Sequence, residues 1–375
     1  MARKIYISAL SDLVSDQRVH KTAMVLQDMG FDVSVLGVVW PNSKKLVKKS
    51  YKSQRFKLLF TTGPLMYLNF NLGLFFYFLC RPAGIYFSND LDTLLPNFIV
   101  SKLKRKPLVY DSHELFTELP ELTSRPSKQK MWLKLEAWLL PKVKLSFTVC
   151  QSIADFYKSK YGIVMHVVRN VPFIKSTLKQ NKPKELESIP RRNKIILYQG
   201  WLNMGRGLNL MIEAMQFVDN ATLVICGDGY IKQDLEQLCE KIKVCDKVIF
   251  TGKIPFEQLS AYTQYANLGL SLEENLGLNY YYALPNKLFD YIHAGVPVLV
   301  SSFPEMRKIV EQYQVGETFD GKTAEELAKK IDKMLNSEKK LEDYKFNICK
   351  AVSELNWEKE SEVIQEELSR FVGTV

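Results

Sequence analysis

Little in this 375-residue chain points to covalent staples or to a metal. Its six cysteines (Cys80, Cys150, Cys226, Cys239, Cys245 and Cys349) are scattered, with no Cys-x-x-Cys pair, which argues against a zinc site or a dithiol redox site. Three of them fall in apolar segments, where buried free thiols usually lie. No charged-then-apolar leader ends in a small-residue cleavage site, so a secretory signal is not expected and a reducing cytoplasm is. There is no low-complexity tract and no repeat beyond two similar α/β halves. Nor does any apolar run reach the ~20 residues that a membrane-crossing helix needs. The nearest approach, residues 65–80, includes two asparagines and a glycine.

Acidic residues are missing where basic ones gather. Residues 1–173 contain 25 Lys and Arg against 12 Asp and Glu, whereas residues 174–375 contain 26 against 29. The whole excess of +10 therefore comes from the first half. It concentrates in the acid-free run Lys44, Lys45, Lys48, Lys49, Lys52, Arg55 and Lys57, and again at residues 102–106. No helix-turn-helix, zinc finger or aromatic single-strand motif accompanies it, so nucleic acid is not the expected partner. Two readings fit the aromatic segment that follows the first cluster. It is a buried helix of the domain, or its apolar side lies on an anionic membrane with the cluster drawn to lipid headgroups.

What is present is an alternation of short apolar runs and amphipathic stretches. At 375 residues the chain exceeds what one core usually holds, so two domains are expected. In the first half, strands are predicted at residues 4–8, 32–36, 84–87, 107–110, 146–149 and 165–168, with a helix at 16–29. Several of these strands are followed by polar or acidic residues, as expected where strand ends face a ligand. Three such ends carry chemistry-capable groups: Ser88-Asn-Asp-Leu-Asp92, Asp111-Ser-His-Glu114 and Arg169-Asn170. Among the four histidines (His20, His113, His166 and His293), only His113 sits just beyond a strand end. The same cluster also suits helix capping, with Asp111 or Ser112 as cap and Glu114 in the first turn. Asp90 and Asp92 form an Asp-x-Asp pattern, which can hold a divalent cation through hard oxygen ligands. They are read here as edge or capping residues on an acceptor side, together with Glu114.

The second half opens on Lys194-Ile-Ile-Leu-Tyr-Gln-Gly200, a strand that runs into a Gly-bearing loop. Gly200, Gly205 and Gly207 let that loop turn sharply and approach a ligand, and Arg206 can fork onto phosphate oxygens. Ala221-Thr-Leu-Val-Ile-Cys226 and Lys247-Val-Ile-Phe-Thr-Gly252 follow as strands, with helices between. The β-α-β-α-β order is that of a doubly wound parallel sheet. Pro285-Asn-Lys-Leu-Phe-Asp290 then reads as a helix start, with Pro285 in the first turn. Asn286 and Lys287 stand at its positive end, an anion site. One turn on, Asp290 suits two ribose hydroxyls. Residues 175–192, polar and containing Pro183 and Pro190, have linker composition.

The ordered set Gly200…Arg206-Gly207, Cys226-Gly-Asp-Gly229, Phe250-Thr-Gly252, Pro285-Asn-Lys-Leu-Phe-Asp290 and Gly295-Val-Pro-Val298 resembles the donor domain of the retaining glycosyltransferases of family 4. The resemblance covers roughly residues 190–320. It implies an α/β GT-B fold: two Rossmann-like doubly wound domains facing across a cleft, an acceptor-side domain at 1–173 and a donor domain at 174–353. The last helix, 354–375, is implied to pack back on the first domain. Also implied are a nucleoside-diphosphate-sugar donor and a glycan or lipid-linked acceptor, as in surface polysaccharide synthesis. Transfer would be of the hexosyl or N-acetylhexosaminyl type, and neither a cofactor nor a metal is required. By position, Arg206 and Lys287 take the donor diphosphate, Asp290 the ribose, and His113 lies beside the transferred sugar.

One departure stands out. The family's Glu-x7-Glu pattern would place its first acid at position 282, where this chain has Tyr282. The nearest acids are Glu273 and Glu274. Either one of them, with Glu274 the one assigned to the donor site, or the loop backbone with Asn279, reaches the sugar hydroxyls. Two further readings remain. A nucleotide-sugar epimerase shares the architecture and would use cleft carboxylates such as Glu114, Glu118, Glu273 or Glu274. A catalytically silent nucleotide-sugar-binding partner would explain the missing acid.

Overall fold

The computed structural model describes residues 3–174 and 180–373. The chain divides into two compact units. The first comprises Met1–Asn170 with Trp357–Val375, and the second Val171–Asn356.

The first unit is built on seven parallel strands: β1 (Lys4–Ser8), β2 (Asp32–Val39), β3 (Lys52–Lys57), β4 (Ile85–Asn89), β5 (Leu108–Ser112), β6 (Leu145–Thr148) and β7 (His166–Val167). Their order is β3-β2-β1-β4-β5-β6-β7. Chain direction across the sheet therefore reverses between β1 and β4, the crevice where open α/β sheets take ligands. The central strands β4, β5 and β6 are buried at every position, and β4 and β5 each open on three apolar residues and end on two polar ones, Ser88-Asn89 and Asp111-Ser112, at the end of the sheet that carries the site. β3 was not expected. Lys-Ser-Gln-Arg-Phe-Lys has too few apolar residues to signal a strand, but it pairs with β2 from Ser34↔Lys52 to Val39↔Lys57. It is an edge strand, and charged side chains there discourage further pairing.

The segment with two possible readings forms the helix Gly63–Leu79. Met66, Phe70, Leu74 and Phe78, spaced four apart, are buried, and full burial of such side chains contributes about 1.5–3 kcal/mol each. The opposite stripe is apolar too: Leu65, Leu68, Leu72, Phe76 and Leu79 are all exposed. Among the described residues no helix is long and apolar enough to cross a membrane.

The closing helix, Trp357–Gly373, belongs to this first unit. It packs on the helix Gln17–Asp28 and on β6. Trp357 is buried, with the Lys21 ammonium 4.7 Å from its ring. Glu360 accepts from the Arg169 backbone N–H and from its Nε, both at 2.7 Å.

The second unit has six parallel strands: β8 (Lys194–Gln199), β9 (Ala221–Cys226), β10 (Val248–Gly252), β11 (Leu268–Ser271), β12 (Val298–Ser301) and β13 (Gly316–Phe319). The order is β10-β9-β8-β11-β12-β13, with the reversal between β8 and β11. Its core joins Ile196, Tyr198, Leu223, Ile225 and Leu270 to the helices around them. Part of the predicted linker lies outside the described residues, at 175–179. The remainder is not a solvated hinge. Leu186 and Ile189 are buried, Glu185 accepts from Tyr262 at 2.8 Å, and the Gln180 carbonyl accepts from Tyr265 at 2.8 Å. Gln180 and Glu185 thus tie it to the helix Phe256–Thr263 and the turn after it, and composition alone does not show that.

Candidate active site

In the second unit the site is built at the carboxyl ends of β8 and β11. After β8 the chain turns at Gly200 and returns through Gly205, Arg206 and Gly207. Gly207 has φ +67°, and a Cβ there would lie 2.1 Å from the Leu272 carbonyl oxygen. No other residue allows loop and strand end to come so close. This contact carries Arg206 to the end of β11. There Glu273, with a side chain 0 % exposed, accepts from Lys287 Nζ at 3.0 Å and from Ser271 Oγ at 2.9 Å. Arg206 Nη1 lies 3.6 Å from the same Glu273 Oε1. Burial pushes the Glu273 carboxyl up, but the charges of Lys287 and Arg206 outweigh it and hold the group below its ordinary range. It is therefore ionised at neutral pH, a carboxylate between two cations.

Both cations are also propped by aromatic rings. Lys287 Nζ stands 4.2 Å from the centre of the Tyr198 ring, and the Arg206 guanidinium 5.1 Å from that of Tyr280. Pro285 is the residue before the helix Asn286–His293 rather than part of it, with ψ 140°. Asn286 is exposed at the helix start and Lys287 is buried. Three residues on, Asp290 accepts from Gln199 Nε2 at 2.9 Å, and Gln199 Oε1 accepts from Thr263 at 2.8 Å. Glu274 is exposed, and its backbone N–H donates to the Gly205 carbonyl at 2.9 Å. The structure thus brings Glu273, not Glu274, against the cations. Asn279 lies half-buried in a short helical turn, Leu278–Tyr281, where a plain loop was expected. Tyr282 ends that turn.

Sequence reasoning missed several members of this cluster: the Gln199–Thr263 pair behind Asp290, the Tyr280 prop, and an aromatic lip. At the lip the exposed rings of Trp201 and Tyr230 meet edge to face, 5.9 Å apart.

In the first unit the polar cluster lies at the ends of β4 and β5. Asp111 is buried, and Arg18 grips it from the helix Gln17–Asp28 through Nε (2.9 Å) and Nη2 (2.6 Å), while Arg18 Nη1 donates to the Val168 carbonyl at 2.6 Å. Burial raises the Asp111 carboxyl, but Arg18 and His113 more than offset this and keep it well below the carboxylate range. His113 sits between carboxylates, with Nδ1 3.5 Å from Asp90 and Nε2 3.3 Å from Asp111 and 3.1 Å from Asn89 Oδ1. Burial alone would lower its pKa. Asp90 and Asp111 reverse that and lift it to about 9. At neutral pH the ring is a cation and a donor, not a general base. The His113 backbone N–H also donates to Asp90 at 2.8 Å, and Asp90 is held at φ +56°. Asp92 is pushed well up, first by burial and then by Asp90 and Glu114, and its Oδ1 is buried without a hydrogen-bond partner. Among the described residues no three His, Cys, Asp or Glu side chains converge as a metal site.

The His113 pairing has a signed pH consequence. Its folded pKa is above the ordinary imidazole value of 6.5, so its contribution to stability is complete below that value and lost as pH rises through about 9. His113→Gln should therefore melt well below the wild type at about pH 6 and close to it at about pH 10. A gap that stays constant across that range in thermal unfolding would refute the charged pairing.

With this geometry in place, comparison with known proteins is decisive for the second unit. Residues 179–350 match the family described as glycosyl transferases group 1. Over that stretch, just under half of the chain, it is similar to a group 1 glycosyltransferase domain. An uncharacterized glycosyltransferase of Methanocaldococcus jannaschii is 30% identical over 148 residues, 38% of this chain and 36% of that protein. The alpha-monoglucosyldiacylglycerol synthase of Streptococcus pneumoniae is 26% identical over 158 residues, 40% of this chain and 34% of that one. The chain thus aligns with about a third of the length of these curated relatives. The crystal structure of Anabaena HepE in complex with UDP-glucose superposes with a TM-score of 0.77 at 16% identity, over 98% of this chain and all of that one. Its likeness shows the fold of the chain, which is GT-B.

Proposed function

We propose that this protein is a retaining glycosyltransferase that takes a hexosyl or N-acetylhexosaminyl group from a nucleoside-diphosphate sugar. The observation that carries this reading is the placement of Arg206 and Lys287 on one buried carboxylate, at the reversal point of the second sheet. Two cations against a single carboxylate leave net positive charge beside the first turn of the helix Asn286–His293, whose free amides also favour an anion. Glu273 holds both cations in place before substrate arrives. Charge on a leaving diphosphate is then met without reorganisation, which is where electrostatic catalysis gains most. These cations supply the neutralisation that a divalent metal supplies elsewhere, so the reading needs no metal.

Asp290, steadied by Gln199, takes the ribose hydroxyls, and the Trp201–Tyr230 lip offers a face for the nucleobase. The imidazolium of His113 donates to a sugar or acceptor oxygen, with Asp90, Asp92 and Glu114 around it. In the retaining step the departing phosphate accepts the acceptor's proton, so no protein nucleophile is assigned. Release of nucleoside diphosphate from a panel of donor sugars, followed by product analysis, tests the reading. Transfer or slow hydrolysis supports it; sugar isomerisation or binding without turnover overturns it. In the same assay Asp290→Asn should raise KM several-fold with little change in kcat, because ribose contacts are alike in ground and transition states.

The acceptor, on this reading, is a glycan or a lipid-linked sugar of a surface polysaccharide met at the inner face of a membrane. The support is the uncharged outward stripe Leu65, Leu68, Leu72, Phe76 and Leu79 beside the acid-free run of residues 44–57. An outward helix face in water is ordinarily polar, and basic residues near anionic lipid add roughly 1 kcal/mol each. The S. pneumoniae relative, named for a diacylglycerol product, fits the same setting. Replacing Lys44, Lys45, Lys48 and Lys49 by Glu should abolish co-sedimentation with anionic vesicles at low salt while leaving donor hydrolysis intact. Wild-type protein that ignores such vesicles would remove the membrane from the proposal.

A further inference from the structure

A second concentration of positive charge lies at the opposite end of the first sheet from His113. Where β5 begins, a cavity of about 300 Å³ opens between the end of the helix Leu91–Leu103 and the turn before β6. Five cations line it: Lys102, Arg105, Lys106, Lys142 and Lys144. No acidic residue does, and among the described residues none of the five pairs with a carboxylate.

The neighbouring Lys104 shows what a cation with a structural task looks like here. Its Nζ donates to the carbonyls of Phe78, Leu79 and Arg81 at 2.6, 3.0 and 2.6 Å, tying down the end of the preceding helix. The cavity cations have no such task. Two of them flank one ring, with Lys102 Nζ 5.5 Å and Lys142 Nζ 5.9 Å from the centre of Phe98, and Lys142 also lies 4.5 Å from that of Trp138. Five cations around one opening with no carboxylate among them repel each other, and a multiply charged anion in the cavity turns that repulsion into attraction. The size fits a phosphate-bearing group, since pockets of roughly 300 Å³ are at the small end of ligand sites.

We propose that this cavity is a phosphate-binding site, separate from the donor clamp, for a diphosphate or for the phosphate of a lipid headgroup. It stands on observations independent of the glycosyl-transfer reading, and its test is arranged accordingly. Calorimetry with inorganic pyrophosphate at low salt is run on the full chain carrying Arg206→Ala, Lys287→Ala and Glu273→Gln, so that the donor clamp contributes nothing and no buried carboxylate is left without a cation. In parallel, the same protein is sedimented with vesicles of phosphatidylglycerol and of phosphatidylcholine. Both measurements are repeated after adding Lys102→Gln, Lys142→Gln and Lys144→Gln, with the melting temperature as a check on folding.

A saturable pyrophosphate response that falls at least tenfold in the cavity variant supports the site and identifies a soluble phosphate ligand. Binding confined to phosphatidylglycerol vesicles, with the same fall, supports it and identifies a headgroup. No response to either anion, or one that the cavity substitutions leave unchanged, overturns it. Should the triple substitution impair folding, Lys144→Gln alone must still weaken binding severalfold, and an unchanged affinity overturns the proposal equally.

Discussion

Arg206→Ala is expected to lower turnover by about 10²-fold or more, the usual scale for losing one preorganised charge-stabilising donor, and to leave the melting temperature nearly unchanged. The Arg206 side chain is 31% exposed and 3.6 Å from Glu273, so little packing depends on it. Lys287→Ala should lose as much activity and, unlike Arg206→Ala, also lose stability. Lys287 is only 8% exposed and is the nearer partner of a fully buried carboxylate. Removing it leaves Glu273 facing the more distant guanidinium alone, and breaking a buried pair in this way typically costs about 3–5 kcal/mol. Adding Glu273→Gln should restore much of the lost stability but none of the turnover, because the buried charge is gone and the clamp still lacks its cation. Unimpaired turnover in both single variants would refute the assignment of the clamp, and stability not recovered in the double variant would refute the role given to Glu273.

The largest effect on folding is expected from Arg18→Met. Arg18 and Asp111 are 3% and 1% exposed and form a two-pronged contact. Without the guanidinium, Asp111 keeps only His113 as a positive neighbour, and the first unit should lose about 3–5 kcal/mol at neutral pH. The pH dependence tests the cause. In the wild type Asp111 titrates well below the ordinary range, so its contribution is present above that range and lost only as pH falls through the depressed value. In the variant Asp111 protonates more easily, so the difference between the two proteins should shrink on acidification. Denaturant unfolding at about pH 8 and about pH 5 measures both. A loss below about 1 kcal/mol, or one that does not depend on pH, would mean that packing rather than charge explains the pair.

The apolar runs, the glycines after β8 and the strand–helix alternation were legible from the chain because each is local. A strand buried on both faces is mostly apolar, and at Gly207 the positive φ, with the Leu272 carbonyl where a Cβ would be, admits only glycine. Motif order singled out Arg206, Lys287 and Asp290, and the structure sets the first two on Glu273 and the third against Gln199. Which acid faces the cations did not follow. Glu273 and Glu274 are adjacent at a strand end, where successive side chains point to opposite sides. Only the seating of Glu273 on Ser271, together with its carbonyl's contact with Ser301 at 2.7 Å, puts one inside and the other in water.

The charge state of His113 was equally out of reach of the sequence, since Asp90 reaches it from the turn after β4, Asp111 from β5, and Arg18 is brought to Asp111 across 93 positions of chain. The helix Gly63–Leu79 marks the limit most plainly. Its residues are apolar on every side, so periodicity could not say which stripe the core would take. The sequence by itself determined two doubly wound halves and the residue types at their strand ends. The tertiary structure decided which of those residues are buried, paired and charged, because burial and pairing depend on neighbours that are distant in the chain.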